Sequence, residues 1–239
     1  MYKNELDRHI QNNSLSNSFI LFGESSFLID RYTLLLSNIP EASKAKFYHD
    51  EYDFTSAKAH LSQSSLFGDR NILIIKSEKK IPKKELDTLM DYCQKNPNNI
   101  FIYAYYGTDY KTYAKTAANT KTMSVRFFHP NNKEALSILS QTANEYKVNI
   151  DGYTLNHLLS MHNGDVALAC NELEKLKIYD KTITTKDIDT LVFGLAQVGI
   201  DDFIKKILNK KNFKDDLNNI LGHGEDEIRV LSAITSYLT

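Results

Sequence analysis

The sequence has few of the features that would place it in a specialised class of protein. It contains two cysteines, Cys93 and Cys170, among 239 residues, which excludes a disulfide framework and a cysteine-based zinc ribbon. No apolar run approaches the roughly 20 residues of a membrane span, and the polar N-terminus lacks the apolar core of a signal peptide. The net charge is −1, whereas a protein held on DNA by its own charge is usually basic. We therefore expect a soluble protein of a reducing cytoplasm with no membrane partner.

What the sequence does contain is an alternation of strand and helix patterns in its first half. Apolar and charged residues make up 42% and 25% of the chain, as in an ordinary globular protein. Strands are predicted at 19–22, 46–49, 71–75, 100–106 and 123–128, with helices predicted between them at 31–36, 55–64, 83–94 and 113–119. This order predicts a parallel sheet with helices on its faces.

After Pro130 every segment has the periodicity of a helix. Asn163-Gly164 is a C-terminal capping pair, and Thr184 to Asp187 resembles a capping box. We place one domain boundary near His129-Pro130 and a weaker one between residues 194 and 199. The predicted domains are therefore residues 1–130, 131–197 and 198–239.

The loop after the first strand is where nucleotide-binding folds place a phosphate loop. The segment Gly23 to Phe27 has neither the second glycine nor the lysine of GxxxxGK[ST]. It half-matches a nucleophile elbow through Gly23 and Ser25, but Phe27 replaces the second glycine of that motif. The interpretation we favour is that Ser25 caps the following helix. No cofactor is expected.

The positions of the histidines and lysines in the sequence do not indicate a catalytic site. The seven histidines are scattered, so no catalytic or metal site is expected. A lysine cluster follows the third strand, and it is either a DNA-facing basic patch or a solvated loop entering a charged helix. Its members are Lys76, Lys79, Lys80, Lys83 and Lys84.

The segment Gln63 to Gly68 places a large apolar pair between a helix and a strand. Leu66 and Phe67 either fold under the helix end as core or present an anchor for the apolar pocket of a partner. Burial of two such side chains in a partner would contribute roughly 3–6 kcal/mol.

Four stretches resemble the delta subunit of bacterial DNA polymerase III, the clamp-loader subunit that opens the sliding clamp. They are FILFGESSFLI (Phe19 to Ile29), SLFGDRNILII (Ser65 to Ile75), NGDVALACNELEKLKIYD (Asn163 to Asp180) and ITTKDIDTLV (Ile183 to Val192). The third is the most specific match, because its NELEKL core is a hallmark of that family.

The resemblance implies a fold and a non-catalytic function. The fold is an AAA+-like α/β domain with a degenerate phosphate loop, then a helical lid and the start of a helical collar. The function implied is to bind and open the clamp in bacterial DNA replication, without ATPase activity, as part of the DNA polymerase III holoenzyme, a nucleotidyltransferase complex. Expected partners are the beta sliding clamp, the gamma/tau ATPase subunits, delta-prime and, through the complex, primed DNA.

The resemblance also implies which residues contact the clamp. Gln63, Ser65, Leu66 and Phe67 match the family's clamp-binding element, although Ser64 stands where leucine is common. Family members extend beyond this length, so we expect a C-terminally truncated chain with an incomplete collar. Two alternatives stay open: a delta-prime-like structural loader subunit, and a degenerate nucleotide-binding or hydrolase enzyme that uses Ser25.

Overall fold

The computed structural model describes residues 1–63, 70–117, 122–192 and 200–209, together with 211–214, 217–218, 227, 231 and 234–235. The chain divides into two compact units, residues 1–130 and 131–239. The finer division at residues 197–198 stays a prediction.

The first unit is built on a five-stranded parallel sheet in the order β2-β3-β4-β1-β5. The strands are β1 Ser18–Gly23, β2 Ser43–Tyr48, β3 Asn71–Ser77, β4 Asn99–Tyr105 and β5 Met123–Phe127. The helices are α1 Lys3–Gln11, α2 Ser26–Ser37, α3 Phe54–Ser62, α4 Lys83–Lys95 and α5 Tyr110–Ala117, with a short 3-10 turn at His49–Glu51. The predicted parallel sheet is confirmed, although several elements begin or end a few residues away from their predicted bounds.

The three central strands are buried on both faces, as the apolar runs predicted. Successive side chains of β3 alternate between the faces, so Leu73 and Ile75 point into a core that also holds Leu61 of α3 and Leu89 of α4. The edge strand β2 is buried on only one side, because Ala45 and Phe47 pack against this core while Lys44, Lys46 and Tyr48, which alternate with them, are exposed.

Helix α1 was not predicted from the sequence. It contributes a single fully buried side chain, Leu6, and most of its other residues are polar, so few apolar positions mark it in the sequence. The residues before it run beside β5: the amino group of Met1 donates to the Ser124 carbonyl at 2.9 Å, and the Arg126 amide donates to the Met1 carbonyl at 3.1 Å. The backbone of β5 thus fixes the start of the chain.

The described part of the second unit is helical, as predicted. Its helices are α6 Asn132–Glu145, α7 Gly152–Met161, α8 Val166–Leu176, α9 Thr185–Leu191 and α10 Ile200–Leu208. The capping box of Thr184 and Asp187 is present, and Asn163 and Gly164 adopt φ values of 53° and 83° at the end of α7. Both capping predictions are confirmed. Among the described residues no helix has the length and apolarity of a membrane span.

Candidate functional site

The loop after β1 is drawn tightly against the neighbouring strand β5. The Glu24 amide donates to the Phe127 carbonyl at 2.7 Å. Gly23 has φ +141°, and a Cβ atom at this position would lie 2.0 Å from the same carbonyl oxygen. Glycine is therefore required here by the close approach of β5.

Ser25 has the structure of a helix cap. Its hydroxyl oxygen accepts a hydrogen bond from the Leu28 amide at 3.3 Å, and its carbonyl oxygen accepts from the Ile29 amide at 3.1 Å. The residue is 3% exposed. The predicted N-cap role is confirmed, and it accounts for a buried serine after a strand without any catalytic chemistry.

A carboxylate stands where a phosphate loop would receive an anion. Glu24 accepts a hydrogen bond from the Tyr110 hydroxyl at 3.0 Å and lies 3.6 Å from an Nη atom of Arg126. The Arg126 guanidinium lies 4.5 Å from the centre of the Phe128 ring and 5.1 Å from that of Tyr110. The hydrogen bond to Glu24 raises the pKa of Tyr110. Because the site supplies its own anion, it disfavours the binding of a second one.

The five lysines of the predicted basic patch differ in their environments. Lys76 pairs with Asp30, which also accepts from the Tyr106 hydroxyl at 2.7 Å. Lys80 pairs with Asp109. Lys79, Lys83 and Lys84 are exposed. Two of the five positive charges therefore already have a carboxylate partner within the unit.

The pairing of Lys80 affects the charge of its partner. Donation from Lys80, and then from the Tyr105 hydroxyl, holds the pKa of Asp109 below its usual value. Asp109 is therefore ionised at neutral pH, which keeps the positive charge of Lys80 compensated. A DNA-facing role for the whole cluster stays a prediction.

Of the predicted clamp-binding residues, only Gln63 lies within the described part of the chain; Ser65, Leu66 and Phe67 lie outside it. Gln63 follows the last turn of α3, and its carbonyl accepts a hydrogen bond from the Asn71 side chain at 2.9 Å. At the other end of the segment, the Arg70 carbonyl accepts from the Ser43 amide at 2.9 Å. Both ends of segment 64–69 are thus tied to the first residues of β2 and β3.

Two buried asparagines that the sequence analysis missed hold this arrangement together. Asn71 and Asn99 begin the neighbouring strands β3 and β4. The amide nitrogen of the Asn71 side chain donates a hydrogen bond to the side-chain oxygen of Asn99 at 3.2 Å. The Asn99 amide group also donates to the Leu61 carbonyl of α3 at 2.7 Å and to the Tyr92 carbonyl of α4 at 3.3 Å. A signal was present, since Asn-Ile begins both apolar runs, NILII and NIFIY.

No metal site emerges from the described residues: they contain no group of three histidine, cysteine or carboxylate side chains placed to hold an ion. His162 is buried, and neither ring nitrogen has a hydrogen-bond partner. His157 instead lies 2.7 Å from Asp189.

Comparisons with known proteins match both units. A family model for the middle domain HP_1247_M matches residues 131–190. Two Helicobacter pylori proteins, from strains J99 and 26695, are 26% and 25% identical over 99% of this chain and 76% of their own lengths.

Solved structures match the fold over nearly all of the chain. The Bacillus subtilis DNA clamp loader delta protein superposes with a TM-score of 0.63 at 21% identity, over 98% of this chain and 75% of its own. A Thermotoga maritima RuvB variant reaches 0.50 at 13% identity, over 96% of this chain and 81% of its own. The predicted fold class, an AAA+-like α/β unit followed by a helical part, is confirmed.

Proposed function

We propose that this chain is a clamp-loader subunit of the delta type, which binds and opens a sliding clamp without hydrolysing ATP itself. Its fold is similar to that of the Bacillus subtilis DNA clamp loader delta protein over nearly the whole chain. The loop at Gly23 and Glu24, which holds an internal carboxylate in place of a phosphate cradle, supports a subunit without nucleotide chemistry.

The observation that carries the proposal is the anchoring of Gln63 and Arg70. Hydrogen bonds fix both residues to the first residues of the neighbouring strands β2 and β3. The six residues between them, Ser64 to Asp69, therefore begin and end next to residues that are hydrogen-bonded to the sheet. A recognition element on such a base loses less conformational freedom when it binds than one on an unanchored segment.

In this mechanism Leu66 and Phe67 insert into an apolar pocket of the clamp, while Gln63 and Ser65 supply polar contacts. The clamp opens if the chain binds the open ring more tightly than the closed one. The shift toward the open ring is limited by that difference in affinity. The gamma/tau subunits supply ATP hydrolysis, and delta-prime completes the loader around primed DNA. The chain then acts at the bacterial replisome, in the cytoplasm. Residues 131–197 form the lid, and residues 198–239 belong to the collar.

The test is a double substitution at the apolar pair with a matched control. Leu66→Ala with Phe67→Ala is compared with Leu34→Ala and Leu35→Ala, an adjacent apolar pair on α2 that is 70% and 52% exposed. We expect the first variant to lose clamp binding in calorimetry and to keep its melting temperature, and the control to keep both.

Two results would contradict this assignment. A collapse of the melting temperature of the first variant would place Leu66 and Phe67 in the core, where each truncation costs about 2–5 kcal/mol. Normal melting with unchanged affinity would place the clamp contact elsewhere.

A further inference from the structure

The edge strand β2 presents two lysines and a tyrosine on one uncovered face. Side chains alternate along a strand, so Lys44, Lys46 and Tyr48 share the face opposite to Ala45 and Phe47, which pack into the core. All three are exposed. Helix α2 lies on the same side of the sheet, where it packs mainly against β1 and β4 and also contacts β3. We call Lys44, Lys46 and Tyr48 the β2 face.

The positive charge of the β2 face is not compensated within the described part of the chain. No carboxylate there pairs with Lys44 or Lys46, and the Lys46 amino group lies 4.8 Å from the centre of the Tyr48 ring. The nearby carboxylate of Asp30 is already engaged by Lys76, which the strand register places beside Tyr48. The lysines of the β2 face are therefore available to attract an anion from outside the chain.

The arrangement along the strand also has a regular spacing. Residues two apart on a strand are about 6.6 Å apart, so Lys44 and Lys46 form a short row of cations that leads to an aromatic ring. Cations in a row beside an exposed aromatic ring are the combination that proteins use to bind single strands, with phosphates on the cations and a base on the ring.

We propose that the β2 face binds single-stranded nucleic acid, with backbone phosphates on Lys44 and Lys46 and a base stacked on Tyr48. This inference does not depend on clamp opening and goes beyond it. It also differs from the predicted basic patch, of which Lys76 and Lys80 are paired internally. The competing explanation is that lysines on an edge strand only prevent pairing with other sheets.

The test measures the anisotropy of a fluorescent 20-nucleotide thymidine oligomer titrated with the full chain at several salt concentrations. Lys44→Gln with Lys46→Gln is compared with a control of equal charge change, Lys58→Gln with Lys95→Gln, two exposed lysines on α3 and α4. We expect the first variant to bind at least tenfold more weakly at low salt. Its slope of log affinity against log salt should fall by about 1.4, since each phosphate contact on a single strand contributes about 0.7. The control should match the native chain.

A second pair of variants tests the stacking and stays informative if the lysine variant is unstable. Tyr48→Ala should weaken binding roughly fivefold or more with an unchanged salt slope, whereas Tyr48→Phe should bind normally, because stacking needs only the ring. Four results would overturn the proposal: no binding by the native chain at low salt, equal losses in the β2-face and control variants, normal binding by Tyr48→Ala, or a loss confined to Lys83→Gln with Lys84→Gln.

Discussion

The side chains of Asn71 and Asn99 are hydrogen-bonded to each other at 3.2 Å, although both are almost completely buried. Each residue begins one of two adjacent strands. Their side-chain amide groups donate hydrogen bonds to backbone carbonyls at the ends of two helices: those of Gln63 and Leu61 at the end of α3, and that of Tyr92 near the end of α4. The terminal carbonyls of a helix have no partner within it, and a buried helix end needs one from outside. The side chains of this amide pair, Asn71 and Asn99, supply these hydrogen bonds and fix the position at which α3 ends and segment 64–69 begins.

We predict that Asn99→Ala destabilises the fold by about 2 kcal/mol or more. The substitution removes the Asn99 donor from the Leu61 carbonyl and one of the two acceptors of the Asn71 amide group, which keeps its hydrogen bond to the Gln63 carbonyl. Each unsatisfied buried polar group costs roughly 1–3 kcal/mol. Urea unfolding measures the loss. Asn98→Ala, at the exposed neighbouring position, is the control and should be neutral. Equal stability of the two variants would show that the amide pair contributes nothing.

The sheet could be predicted from the sequence, whereas the amide pair could not be assigned. Runs such as NILII predict buried strands because a strand covered on both faces needs apolar residues at every position. The partners of Asn71 depend on the strand order, which brings Asn99 beside it, and a single sequence does not give that order. Helix α1 was missed for a related reason, since it buries only Leu6 and its other interactions include a polar one with a distant part of the chain, the hydrogen bond that the Tyr32 hydroxyl of α2 donates to Asp7.

Ser25→Ala should lower stability by about 1 kcal/mol, because the Leu28 amide at the start of α2 loses its acceptor. Ser25→Asp keeps an acceptor at the cap and should retain most of the stability. Ser62→Ala is the control, since that exposed hydroxyl only donates to the Lys58 carbonyl within its own helix. Thermal unfolding of the three variants checks this. A neutral Ser25→Ala would contradict the capping role.

Gly23→Ala should be far more damaging than a typical glycine substitution. The new Cβ atom would lie 2.0 Å from the Phe127 carbonyl oxygen, and φ +141° is strained for alanine, so β1 and β5 must separate locally. Gly152→Ala is the matched control, because nothing lies within 4 Å of its added Cβ atom. We expect a strongly lowered melting temperature, or no folded protein, for the first variant only. Similar melting of the two variants would show that the loop can move away from β5.

Purified chain should show no saturable binding of magnesium-ATP at micromolar concentrations. The loop after β1 lacks the lysine of a phosphate loop and carries the carboxylate of Glu24, and the Glu24 amide already donates to the Phe127 carbonyl. Isothermal calorimetry and a phosphate-release assay measure binding and turnover. Micromolar binding would contradict the assignment of a subunit without nucleotide chemistry, whichever residues proved responsible.

His162 should make the fold lose stability as the pH falls below about 6.5. Burial lowers the pKa of this imidazole in the folded chain, against the opposing effects of Glu172 and Asp165, and neither ring nitrogen is hydrogen-bonded. Below its ordinary pKa of about 6.5 the unfolded chain therefore binds the extra proton more readily, so stability is full above this pH and declines below it.

Urea unfolding at pH 7.5, 6.5 and 5.5 tests the role of this imidazole. His162→Leu should decline less with falling pH than the native chain, because the buried titrating group is gone. His60, whose pKa is also lowered by burial, accounts for part of the decline that remains. Ser160→Ala, an exposed change two residues before His162 in the last turn of α7, should keep the native pH dependence. If the stability of His162→Leu declines with falling pH as steeply as that of the native chain, the acid sensitivity comes from other residues. The folded chain would then accommodate the protonated form of His162 without a loss of stability.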